Sequence, residues 1–173
     1  MSNVAYDSIL SRRSIRAYKD TPVPEADIEK IIAAGLAAPS AKNLQSAMFA
    51  VVTDKEMIAK LSALNAAILG RQCDPFFGAP LLILVFANSF RQNWLQDGSL
   101  AMGNLLHAAH ALGYGSCWVN RCREMFEGGE GASVKAELGV SGEYLGVGCA
   151  VIGTPNEEGR VPRIRGGRVV RVR

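Results

Sequence analysis

Residues 81–86 read Leu-Leu-Ile-Leu-Val-Phe, a row of large apolar side chains with no polar interruption. A β-strand sends successive side chains to opposite faces, so such a run needs apolar cover on both sides of its sheet. Even extended to Ala87 it is far shorter than the ~20 apolar residues that cross a bilayer. It therefore predicts the central strand of a sheet covered on both faces, and the rest of the chain must supply the cover.

The flanking sequence does so. Val4, Tyr6, Ile9 and Leu10 predict a short first helix ending near Ser11. Pro24, with Glu25 and Asp27 in the first turn, starts a second that turns Ile28, Ile31, Ile32 and Leu36 inward and ends by Pro39. Ala47 to Thr53 reads as a buried strand, and Asp54 caps a helix presenting Ile58, Leu61 and Leu64. The longest helical pattern runs from Asn93 to Gly113, apolar nearly all round and rich in Gly and Ala, as suits a helix covered on several sides or lying at a subunit interface. Ser116 to Asn120 reads as a strand, Glu127 to Gly131 as a mobile loop, Ser133 to Leu138 as a short helix, and Leu145 to Ile152 as a further strand.

At 173 residues the chain is long enough to bury a core without staples, and it reads as one domain, 1–173, with 154–173 as a basic C-terminal arm. A net charge of +3 is too small for a surface that coats nucleic acid. The four cysteines lack CxxC spacing, which favours reduced thiols, and the N-terminus lacks a secretory pattern; a soluble, cytoplasmic protein is the expectation.

Chemistry concentrates elsewhere. Arg12, Arg13, Ser14 and Arg16 crowd three guanidinium groups and a hydroxyl into five residues, a composition suited to a phosphate monoester and equally to a solvated basic turn. Arg160, Arg163, Arg165, Arg168, Arg171 and Arg173 follow at the other end with no acid among the last fourteen residues. Between them, Pro39, Ser40, Asn43 and Gln45 form a polar loop able to hydrogen-bond a heterocycle. His107 and His110 stand three apart on the long helix, but no carboxylate or cysteine follows at a metal-like interval, and no metal is expected. P-loop, GxGxxG and GxSxG patterns are all missing.

Taken in order, RRSIRAY, the Pro-initiated helix, APSAKNLQ, GNLLHAAHALGYGSCW and the basic arm resemble the flavin-dependent nitroreductase family over nearly the whole chain. The resemblance implies an α+β homodimer, a central, mostly antiparallel sheet flanked by helices, with FMN in pockets formed by both subunits. It implies that Arg12, Arg13 and Ser14 hold the FMN phosphate and ribityl region and that Arg16 reaches the pyrimidine edge of the ring. A fixed cation there stabilises the charge of the reduced flavin without solvent reorganisation. By the same resemblance Pro39, Ser40, Asn43 and Gln45 approach the flavin from the neighbouring subunit, Cys117, Trp118 and Val119 lie near its ring, and Arg163 and Arg165 complete the phosphate site. The family often has Pro and an aromatic residue after the loop glutamine; Ser46 and Ala47 stand here instead, which implies a more open substrate side.

The activity so implied is ping-pong hydride transfer from NADH or NADPH through FMN to a nitroaromatic, a quinone or a similar conjugated acceptor, with no catalytic side chain required. Two alternatives stay open: a specialised flavin reaction on the same fold, such as flavin fragmentation, dehalogenation or dehydrogenation, and a non-catalytic protein that binds nucleotides or nucleic acid through its basic ends.

Overall fold

A computed structural model describes residues 4–161, 166–167 and 169–172. Strand β2 (Leu81–Asn88) is buried along all but its last residue. Its side chains divide by parity. Leu82, Leu84 and Phe86 enter one apolar cluster, and Leu81, Ile83, Val85 and Ala87 enter a second on the opposite face. β2 is an inner strand of a four-stranded sheet, paired antiparallel with β1 (Ala47–Val52) on one side and β4 (Tyr144–Gly153) on the other. β3 (Gly115–Val119) adds antiparallel to β4, giving the order β1-β2-β4-β3. β1 lies at an edge and is only partly covered, with Val51 exposed, so the expectation of a fully buried strand there is corrected.

The second cluster is roofed by α2 (Glu25–Leu36) and α4 (Trp94–Ala111), which contribute Ile28, Ile31, Met102, Leu105, Leu106 and Ala109. Gly35 permits their close approach, since a Cβ there would lie 2.6 Å from a Leu105 methyl. Leu36, expected inward, is exposed. On the other face lie α3 (Lys55–Leu69), α5 (Cys122–Met125) and α6 (Gly129–Glu137). The Asp54 carboxylate caps α3 by accepting from Met57 N at 2.8 Å, and Gly70 closes it in the left-handed conformation. Inside α3, the buried Asn65 donates to the Asn120 carbonyl and accepts from Arg121 Nε, both at 3.0 Å, which holds the turn from β3 into α5. The Gly-rich stretch expected to be a loop from Glu127 to Gly131 is a helix from Gly129 onward: Gly131 fits against the Met125 carbonyl, where no side chain has room.

The arginine segment is an addition to the sheet. After α1 (Val4–Ser11) the chain turns along the free edge of β3. Ser14 bridges Ser116 in parallel, and Ile15 N donates to the Ser116 carbonyl at 3.0 Å. The Ile15 side chain is buried against Gly115, where a Cβ would lie 2.8–2.9 Å from it. Tyr18 then clamps the segment by donating its hydroxyl to the Ile15 carbonyl at 2.6 Å, and burial raises that phenol's pKa well above its ordinary value. The chain after β4 returns alongside, with Lys19 N bonded to the Thr154 carbonyl and Asn156 N to the Ala17 carbonyl, each at 2.9 Å. Val169, Val170 and Val172 further along this arm are exposed.

Substituting Gly115→Ala is expected to push Ile15 off the sheet edge and cost about 1–3 kcal/mol. Urea unfolding reads the loss, and an unchanged midpoint would show that the edge tolerates the added carbon.

Candidate site at the β3 edge and along α4

The arginine segment and the polar loop find their places relative to α4. At that helix's C-terminal end, where α1 and β3 meet it, sits the arginine segment. One terminal nitrogen of Arg12 is buried without a hydrogen-bond partner, and so are His107 Nδ1 and Trp118 Nε1. Buried polar atoms in native proteins are ordinarily paired. The Arg12 charge acts on His107, so these two unmatched groups are neighbours able to meet a ligand, while Trp118 Nε1 lies apart against Gly148. One terminal nitrogen of Arg13 donates to the carbonyls of Leu10 at 2.6 Å and Arg12 at 2.8 Å, tying off the end of α1. Arg16 is exposed, and its backbone N–H donates to the Glu157 carboxylate. Gly159 packs on the Arg13 side chain, so the C-terminal segment reaches the same place. Arg163 and Arg165 lie outside the described residues.

The cysteine-tryptophan segment splits by strand alternation. Cys117 and Val119 are buried in the cluster on the α3 side, while Trp118 points to the α4 side and rests on Gly148, where a Cβ would lie 2.3 Å from Nε1. Cys122 and Cys149 are buried beside one another, and burial pushes the Cys122 thiol well up, which suits packing and not redox chemistry.

The polar loop is at the opposite end of α4. Pro39 is exposed, and Ala41–Asn43 forms a single 3-10 turn with Asn43 and Gln45 exposed. Lys42, Asn43 and Gln45 all take positive φ, at 53°, 54° and 45°. Left-handed conformations cost a non-glycine residue about 1 kcal/mol or more, so surrounding structure must hold them. Asp97 is the holder. From the first turn of α4 its buried carboxylate accepts Ala41 N at 2.9 Å and Ser46 Oγ at 2.8 Å, and within the loop Ser40 Oγ accepts Gln45 N at 2.9 Å. Sequence reasoning missed Asp97; an acid in a helix's first turn passes for an ordinary dipole partner. Ser46 is buried on that carboxylate and serves as an internal anchor for the loop. A cavity of about 290 Å³ lies here, bounded by Gly35, Leu36, Ser40, Gln45, Asp97 and Ala101.

Asp97 precedes His110 by thirteen residues, so the loop and the arginine segment are separated by about 20 Å of helix. One copy of the chain does not bring the two groups together. A larger cleft of about 720 Å³ opens between the start of α2 and α3, but none of the sequence-predicted residues lines it. Its Asp74 is already bonded to Ser62 Oγ, Phe76 N and Gly78 N.

Comparison with known proteins places this geometry. Residues 9–154 match the Nitroreductase family. A protein of Archaeoglobus fulgidus named "Putative NADH dehydrogenase/NAD(P)H nitroreductase" is 41% identical over 116 residues, 64% of either chain. The chain thus spans 64% and 59% of the length of the first two curated relatives it matches. Among solved structures, an FMN-dependent nitroreductase from Clostridium difficile is 34% identical over 90% of both chains with a TM-score of 0.74. A nitroreductase with bound FMN from Bacteroides fragilis, at 24% identity, superposes over 99% of this chain and 100% of its own with a TM-score of 0.92, a likeness of fold. The α+β architecture, the antiparallel sheet and the match along most of the sequence agree, and the chain belongs to the nitroreductase family.

Proposed function

We propose that the protein is an FMN-dependent NAD(P)H oxidoreductase that works as a homodimer, each flavin lying between the arginine segment of one copy and the polar loop of the other. The observation that carries this reading is the unmatched Arg12 nitrogen, buried near the sheet edge with the unmatched His107 Nδ1 as its neighbour, as a phosphate-binding group would be. The names of relatives support it: "FMN reductase [NAD(P)H]" from Bacillus subtilis, 28% identical over 144 residues, and the FMN-dependent Clostridium difficile nitroreductase. The separation of loop from cluster along α4 supports the dimer, because a single copy leaves the site half built. Gly103 supports it further. It costs the middle of α4 about 1 kcal/mol of helix propensity against Ala, and a Cβ there meets nothing within 4 Å in this chain, which leaves room for another backbone.

Arg12 and the Ser14 hydroxyl bind the phosphate, the first through a fixed charge-assisted fork. Arg13 takes part indirectly by fastening the end of α1. Arg16 holds a positive charge toward the pyrimidine edge of the ring, and the Glu157 contact to its backbone N–H fixes the turn from which it extends. Asp97 holds Ser40, Asn43 and Gln45 at the height where they reach a neighbouring copy. Trp118 walls the site on the α4 side of the sheet. The bound flavin supplies two-electron hydride chemistry between a nicotinamide and a nitroaromatic, quinone or similar acceptor, while the protein orients the partners and excludes water.

The purified chain is expected to be yellow, and its flavin absorption to bleach on anaerobic addition of NADH or NADPH; a colourless protein that FMN fails to reconstitute would overturn the reading. The shared site has its own test. Arg12→Ala homodimers, and homodimers carrying Ser40→Ala with Asn43→Ala, are each expected to lose FMN affinity by about tenfold or more. Mixed dimers of the two should regain one tight site in two, since both lesions then fall in the same site. Mixed dimers with two equally weak sites would instead put loop and arginine of one chain in one pocket.

A further inference from the structure

The proposed phosphate site includes more than arginines. α4 turns His107 and His110 toward Arg12, and the two imidazoles are in different states. His110 Nε2 is tied to Ser11 Oγ at 2.9 Å. His107 Nδ1, like the adjacent Arg12 nitrogen, is buried with no partner. We propose that His107 is a phosphate-binding residue that acts with Arg12, taking up a proton as a phosphate monoester enters and donating it as a hydrogen bond to a phosphate oxygen. This rests on the FMN reading above and adds to it a residue from a helix whose apolar pattern otherwise reads as core or interface.

The surroundings favour the assignment. Partial burial, and then the Arg12 charge, hold both imidazoles below the ordinary histidine range, so they are neutral at neutral pH; Arg13 and His107 lower His110 further. Elements packed against this part of α4 bring little that would otherwise protonate the ring. α1 carries Asp7 and Tyr6, which have interactions of their own, and ends at Ser11, with the two arginines following. From α2 comes Asp27, bonded to Lys30 and to Tyr114 Oη, each at 2.8 Å. β3 brings the Ser116 hydroxyl, which donates to the Leu106 carbonyl at 3.3 Å. Two phosphate charges arriving beside Arg12 reverse the local sign, and the ring becomes more basic.

The test uses the full chain stripped of flavin, titrated calorimetrically with FMN and with riboflavin at pH 7.5 in buffers of different ionisation enthalpy. A phosphate monoester, with a second pKa of about 6, is already dianionic there, so a proton taken up goes to the protein. Wild type is expected to take up about one proton per FMN and none with riboflavin. His107→Gln should take up none and bind FMN about tenfold more weakly, with riboflavin affinity unchanged. His110→Gln should keep the uptake. FMN binding without proton uptake in wild type, unchanged FMN affinity in His107→Gln, or loss of uptake in His110→Gln would overturn the assignment while leaving the FMN reading intact. Failure to bind either flavin would overturn both. The chain has two histidines, so ring-proton NMR of these variants identifies which one titrates.

Discussion

Burial of β2 on both faces is the constraint from which the rest follows. A strand buried from Leu81 to Ala87 demands cover above and below, and the chain meets that demand with α2 and α4 on one side and α3, α5 and α6 on the other. Because α4 crosses the sheet face from the β1 side to the β3 side, it also becomes the bar to which both functional segments are fastened. Asp97 fastens the loop at one end; α1 and the arginine segment sit against the other.

Neither half of the candidate site is held by flexible surface chemistry. The arginine segment is seated by backbone bridges to β3, by Ile15 lodged where Gly115 has no side chain, and by the Tyr18 hydroxyl on the Ile15 carbonyl. The loop keeps three left-handed residues because a buried carboxylate satisfies a backbone donor and a hydroxyl at its two ends. Such seating lets charged groups meet a ligand without first being ordered, the condition under which fixed charges stabilise best.

Much of this was legible in the residues. The 81–86 run disclosed the inner strand, Pro24 and Asp54 marked the starts of α2 and α3, and the order of the RRSIR, loop and long-helix segments pointed to the family, which the comparisons then established. What escaped had physical causes. α5 is one turn long and carries no periodicity, and the start of α6 is masked by glycines, of which Gly131 is required by the close Met125 carbonyl. Leu36 reads as core by spacing but faces outward at the end of α2. Asp97 escaped notice, and the His107–His110 pair was weighed only for a metal, because the surroundings of each depend on which distant segments α4 brings to it. One terminal nitrogen of Arg13 is committed to the end of α1, a role that turns on where a helix stops.

The span of α4 between Asp97 and His110 has a consequence for how this chain can vary in evolution. Each residue turns a helix by about 100° and advances it by about 1.5 Å. One inserted or deleted residue between these two positions would rotate the loop's anchor out of line with the arginine segment, even if every contact of the core were rebuilt. Apart from positions such as Gly103 and His107, side chains along that stretch can drift within the limits of packing, but their number cannot. The helix acts as a gauge of fixed length, and descendants of this sequence should accept insertions in the turns around α5 and α6 long before they accept one there.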